Sequence, residues 1–165
     1  MPELTEYKVM MLSPRIKSTE ELFNNLRKGT NGTDGLDVCI NAYKTEMSLM
    51  TELPESMFNV GAGAVCVAFA EDFRVFGFIT VGIDDRTRVL CTEHAYVRPE
   101  VRNKGVYTLM MKRVEKMAKD MKFDRIASFV FNENDVSKTA HEKTGFKPRM
   151  IGYIKEVENE NNDRG

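Results

Sequence analysis

The stretch Val97-Arg98-Pro99-Glu100-Val101-Arg102-Asn103-Lys104-Gly105-Val106-Tyr107-Thr108-Leu109 decides how the chain is built. Upstream of it, Arg88–Val97 is rich in β-formers and reads as a strand. Downstream, Val106, Leu109, Met110, Val114, Met117, Ala118 and Met121 recur on one face of a helix over Asn103–Lys122, while Lys112, Lys116, Lys119 and Asp120 fall elsewhere. Ile126–Phe131 follows as a compact strand, so the segment reads as a strand, a helical crossover and a second, parallel strand with a right-handed connection. Between strand and helix lies a basic loop with one glycine. The unsatisfied N–H groups at such a helix start, with the positive end of the helix dipole, suit an anion such as phosphate. Gly105 lets backbone approach that anion closely. Taken alone, the same pattern reads equally as an ordinary capped helix start.

Working outward toward the N-terminus, Arg74–Ile83 and Ala62–Ala70 are further β-rich runs, separated by Glu71-Asp72 and, before Arg88, by Asp84-Asp85-Arg86-Thr87. This spacing suits an antiparallel meander. Pro54 closes a helical pattern that opens at Leu36 and extends to about Met50, and the turn-forming run Lys28–Gly35 separates it from an earlier helix. That earlier helix carries Leu22, Phe23 and Leu26 on its apolar face, with Ser18 and Glu21 spaced as a capping box. Tyr7–Leu12 reads as an opening strand. Toward the C-terminus, Asp135–Thr144 reads as a short helix stopped by Gly145, and Phe146–Val157 as a final β segment. The order is strand, two helices, three strands, helix, strand, helix, strand: an α/β or α+β fold with a mixed sheet and about four helices. Residues 1–157 are expected to form one domain and residues 158–165, all polar or glycine, a disordered tail.

Composition narrows the function. The 165 residues carry 24 Lys+Arg against 25 Asp+Glu, a formal net charge of −1, so no broad basic field draws nucleic acid or an anionic membrane. No apolar run approaches the roughly 20 residues that span a bilayer. The charged N-terminus does not resemble a secretory signal, and three widely spaced cysteines, Cys39, Cys66 and Cys91, suit a reducing cytosol. Only two histidines are present, His94 and His141, without a cysteine or carboxylate cluster at ligand spacing, so no metal is expected.

The opening stretch resembles the V-x-P-x-x-[RQ]-x-x-G-x-[GA] signature of the GNAT N-acetyltransferase superfamily. A second family pattern, N-x-x-[AS]-x-x-x-Y-x-x-x-G-F, is similar to Asn134-Asp135-Val136-Ser137-Lys138-Thr139-Ala140-His141-Glu142-Lys143-Thr144-Gly145-Phe146. The likeness covers about Ala62 to Phe146. It implies a mostly antiparallel mixed sheet with a splayed, parallel central strand pair. It also implies acetyl-CoA as acyl donor and direct transfer to an amine in a ternary complex.

On the same likeness, Ala95, Tyr96 and Val97 would line the pantetheine arm as a neighbouring strand would. Amides of Asn103, Lys104, Gly105, Val106 and Tyr107 would hold the pyrophosphate. Arg102 and Lys104 would add charge there or stand as solvated loop cations. Asn134 and Ser137 belong to the second pattern; Asn134 would bond the pantetheine amides or cap the following helix. Tyr107 stands where the family prefers a small residue. His141 stands where it often has a tyrosine that protonates the departing thiolate, and reads either as a replacement acid or as a packing residue.

Transfer requires a neutral amine, hence a proton acceptor. Glu93 occupies a position where many relatives place a carboxylate base; His94 is the reserve, and a polar, substrate-facing residue without a proton role is the alternative. Regular alternation groups Glu93 with Cys91, Ala95 and Val97, and His94 with Thr92 and Tyr96, unless this strand bulges as it often does in the family. Cys66 and Cys91 read as core thiols. Met47, Met50 and Met57 read as core or as an apolar wall of the acceptor pocket. The acceptor is expected to be a small-molecule or protein amine, and the protein a monomer or homodimer in the cytoplasm. The alternative is an inert acyl-CoA-binding or protein-interaction module on the same fold.

Overall fold

The computed structural model describes residue 3, residues 6–13, 17–61 and 63–155, and residue 157. Its elements are β1 (Lys8–Leu12), α1 (Glu20–Lys28), α2 (Leu36–Thr51), β2 (Ala64–Phe69), β3 (Val75–Asp84), β4 (Val89–Val97), α3 (Val106–Asp120), β5 (Arg125–Ser128) and α4 (Asp135–Lys143). One sheet runs in the order β1-β2-β3-β4-β5. The first three pairings are antiparallel and β4–β5 is parallel. This is the mixed α/β arrangement expected from the crossover, with four helices.

The two faces of the sheet bury different helices. Phe76, Ile79, Val81 and Leu90 pack with Val106, Met110, Met111 and Val114 of α3. On the other face Val65, Val67 and Phe78 pack with Leu26 of α1, Cys39, Tyr43 and Met47 of α2, and Phe58. The apolar stripe on α3 thus does what its spacing predicts, and each fully buried side chain of this kind contributes about 1.5–3 kcal/mol.

Several expectations are corrected. Helix α3 starts at Val106 rather than Asn103, because Asn103 (φ 63°) and Gly105 (φ 84°) are left-handed and interrupt helical geometry. The capping box fails: α1 begins after a short 3-10 turn, and its N-cap is Thr19, whose side chain makes no capping bond to the helix. Strand β5 stops at Ser128 instead of reaching Phe131, since its pairing with β4 ends at Thr92↔Ser128 and the two chains then separate. The parallel pair consequently stands at one end of the sheet, not at its centre, for no strand among the described residues occupies the outer edge of β5. The expected final β segment is absent among the described residues: 146–155 are in no strand or helix, and Met150, Ile151, Tyr153 and Ile154 are exposed. The start of β2 at Ala62 and the tail 158–165 lie outside the described residues.

The most consequential departure is in β4. Ile79 faces Ala95 and Val81 faces Thr92, so three steps on β4 match two on β3 and one residue is extra at Glu93–His94. Thr80 Oγ accepts from the His94 amide at 3.0 Å inside this bulge. Leu90 packs on the α3 side before it, and Ala95 and Val97 on that same side after it. Glu93 and His94 both turn to the α2 side, which overturns the regular alternation that separates them.

Candidate active site

Strand β4 leads through a 3-10 turn, Pro99–Val101, into the loop 102–105 and then α3. Pro99 has no N–H to satisfy and starts the turn at N1. Asn103 and Gly105 are left-handed, the kind of backbone in which neighbouring amides converge, and the first amides of α3 have no intrahelical acceptor. The loop is therefore a backbone nest continuous with a helix N-terminus, a shape complementary to a phosphate anion.

A cavity of about 680 Å³ opens where β4 and β5 separate. Its lining includes Ala95, Tyr96 and Val97 of β4, Arg102, Asn103, Gly105, Val106 and Tyr107 of the loop and helix start, and Asn134 and Ser137 at α4. Ten of the eleven residues expected to hold the donor thus surround one space. Lys104 is exposed and does not line it.

Individual side chains are more committed than the sequence suggests. The Arg102 guanidinium donates to Glu46 of α2 at 2.7 Å and to the Val97 carbonyl at 2.9 Å, and lies 5.5 Å above the Tyr96 ring. It is a bridge between α2 and the phosphate loop rather than a free cation. Asn134 caps α4 by accepting from the Ser137 amide at 3.0 Å, while its amide group approaches Met47 Sδ at 3.9 Å. Capping and cavity lining are one role here, not alternatives.

Glu93 and His141 do not line the cavity. The Glu93 side chain is exposed and lies over Gly82: its Oε1 stands 2.7 Å from where a Cβ on that glycine would be. Since Val81 belongs to the α3-side core, its neighbour Gly82 faces the α2 side, and Glu93 with it. His141 is 8% exposed. Its Nδ1 donates to the Ser137 carbonyl at 2.7 Å, which fixes that proton, and its Nε2 bonds Ser128 Oγ at 2.6 Å. The ring braces α4 against β5, with Phe146 and Tyr107 beside it at centroid distances of 5.0 and 5.8 Å. Burial pushes the Tyr107 phenol up to about 12. The bulky ring that replaces a small residue is thus turned into the protein, away from the loop's amides.

Residues missed at sequence level are Tyr43 and Glu46 of α2, which line the cavity together with Met47 and Met50, two methionines for which a pocket wall is one of the sequence readings. The spacing of these four, i, i+3, i+4 and i+7, marks one helical face, a signal that looks the same whether the face meets core or cavity. Met57 is exposed and takes no part. Tyr43 is 5% exposed, and its hydroxyl is 2.6 Å from His94 Nδ1. Burial lowers His94 below its ordinary value, against the opposing charge of Glu93 and a bond to the backbone of Asn59. Cys66 is buried as expected and pushed up to about 12, but Cys91 is only half-buried and not a core thiol. The acidic turn residues act locally: Asp84 accepts from the Arg86 and Thr87 amides, and Asp72 from Arg74. Among the described residues no three His, Cys, Asp or Glu side chains gather as metal ligands, and no helix is long and apolar enough to cross a membrane.

Comparison with known proteins agrees with this geometry. The family model "Acetyltransferase (GNAT) family" matches residues 37–146. No curated protein sequence matches the chain. Among solved structures, an aminoglycoside N-acetyltransferase, AAC(6')-Iy, in complex with CoA superimposes with a TM-score of 0.55 at 21% identity, over 92% of this chain and 95% of that one. An aminoglycoside acetyltransferase from an uncultured soil metagenomic sample, in complex with sisomicin, gives 0.59 at 10% identity, over 93% and 98%. A third, AAC(6')-Ih from Acinetobacter baumannii, gives 0.50 at 19% identity, over 92% and 99%. At these identities the structural likeness is one of fold.

Proposed function

Because the chain belongs to the GNAT acetyltransferase family, we propose that it transfers an acetyl group from acetyl-CoA to the amine of an acceptor by direct attack in a ternary complex. The observation that carries this reading is the single cavity that joins the open edge of β4, the backbone nest at Asn103–Gly105 and the face of α4. Acetyl-CoA would supply the acyl group as an activated thioester.

The chain's own part is positioning and charge. Left-handed Asn103 and Gly105 and the open start of α3 are in place before any ligand arrives, so amides of this loop would bind a diphosphate with little reorganisation. Ala95–Val97, past the last β4–β5 pairing, offer backbone groups to an extended amide-containing arm. The apolar side chains Met47 and Met50 exclude water from the same space. His141, with both ring nitrogens bonded, supports α4; the acid role suggested by its place in the motif is not favoured. Glu93 acts through its charge beside His94.

The acceptor reading is an amine, and aminoglycosides, polyamines and lysine peptides are the first compounds to assay. Calorimetric titration with acetyl-CoA and a thiol-release assay over that amine panel test the proposal together. Saturable binding with steady thiol release is expected. Binding without release for any amine would leave the inert acyl-CoA-binding module, and no binding at all would remove both readings.

A further inference from the structure

We infer that Tyr43 and His94 form one proton-relay unit, in which the Tyr43 phenol meets the acceptor amine at the cavity wall and hands the proton inward to His94. This rests on the acetyl-transfer reading above and supplies its missing base. The cavity wall offers few proton acceptors for an amine. Glu46 is bonded to Arg102, Asp135 at the α4 end is exposed and paired with Lys138, and Glu93 is outside the lining. Tyr43 lines the cavity, and its hydroxyl bond to His94 Nδ1 at 2.6 Å is short.

Three surroundings suit His94 to receive a proton. The bulge in β4 turns its ring toward α2, where the Tyr43 and His94 rings meet edge-on with centroids 5.4 Å apart. The Asn59 backbone favours the protonated ring, and a neutral ring with its proton on Nε2 presents the Nδ1 lone pair to the Tyr43 hydroxyl. Glu93, adjacent in the strand, places negative charge beside the imidazolium that would form. Burial meanwhile keeps the resting ring neutral, and holds the Tyr43 phenol at about 12, so the tyrosine passes a proton without resting as an anion.

The step balances. An N–H bond of the acceptor ammonium breaks as an O–H bond forms on Tyr43, and the original Tyr43 O–H bond breaks as an N–H bond forms at His94 Nδ1. One positive charge moves from ammonium to imidazolium, Tyr43 ends as it began, and the amine is left with the lone pair it needs. His94 then returns the proton to water, to which it is half exposed.

The test compares Tyr43→Phe, His94→Gln and the double variant, first by melting temperature and then by two readouts. NMR titration of the free protein is tractable with two histidines, because His94→Gln identifies the signal. Loss of the phenol donor removes a bond to the neutral ring, so Tyr43→Phe is expected to raise the His94 midpoint. Thiol release with acetyl-CoA and sisomicin, spermidine or a lysine peptide is expected to fall about 10²-fold in kcat for each single variant. Acetyl-CoA affinity should stay within about twofold, and the double variant should be no slower than the slower single. An unmoved His94 midpoint, full turnover in a folded Tyr43→Phe, or losses that multiply would each overturn the relay while leaving acetyl transfer standing. Absence of turnover in the wild-type protein would instead remove the acetyltransferase reading and the relay with it.

Discussion

Two glycines in β3 show how far a single atom's neighbourhood decides an outcome. A Cβ on Gly77 would stand 2.7 Å from the Tyr96 carbonyl and 3.1 Å from Met110 Cε, and backbone there cannot yield. Gly77→Ala is therefore expected to cost about 1–3 kcal/mol, read as a lower melting temperature. A Cβ on Gly82 meets the end of the Glu93 side chain instead, which can swing into solvent. Gly82→Ala should leave the melting temperature nearly unchanged while displacing that carboxylate. His94 supplies a pH-dependent counterpart. Its folded value lies below the ordinary 6.5, so as pH falls through that region the unfolded chain takes up the proton first. Stability held above about pH 6.5 should diminish below it, and comparison with His94→Gln across pH 5–8 should show a flatter profile for the variant. Neither effect is visible in the sequence, because Glu93 reaches Gly82, and Tyr43 and Asn59 reach His94, only through the fold. What was legible at this scale is Gly105, since the need for a left-handed residue before a helix is local.

At the scale of elements, α3 and its preceding loop were the most readable part of the chain. Periodicity, a strand ending in Val97 and a glycine eight residues on are all short-range signals. Helix α2 was read correctly in extent, and its role lies between core and pocket wall at Met47 and Met50, for a face of Tyr43, Met47 and Met50 looks like core until the sheet it meets is seen to open. The β5 boundary was misread because Phe129 and Phe131 are as apolar as strand residues, whereas the partner strand has already diverged. The loop itself can be tested as a unit. Gly105→Val places a β-branched residue at φ 84°, at a cost of about 1–2 kcal/mol, and turns the nest's amides. Acetyl-CoA affinity is expected to fall tenfold or more by calorimetry, with a smaller loss of melting temperature, because α3 retains its buried face.

For the molecule as a whole, two cores back to back on one sheet account for the chemistry of its thiols. Cys39 and Cys66 are buried in opposite cores with raised values, and Cys91 is half-buried beside Glu93. A thiol reagent should modify Cys91 alone, slowly, in the native protein, and all three after denaturation. The balance of 24 and 25 charges is met by the same economy: an anion is met by a few amides in one loop, not by a field. The bulge in β4 extends this logic to changes of chain length. It acts as a phase inverter: ahead of it Leu90 and Thr92 keep one beat of the strand, and behind it Ala95 and Val97 keep that beat with one extra residue between. No substitution can undo this, but a deletion can. Loss of Glu93 as a residue would straighten the strand: His94 would fill the single place between Thr92 and Ala95, with Leu90, Ala95 and Val97 still facing α3 and Tyr96 still facing α2. The deletion variant should keep a cooperative thermal transition while losing the side-by-side placement of a carboxylate and an imidazole on the α2 face. Homologous chains that differ by a single gap at this point would then turn the same face of the strand toward the cavity.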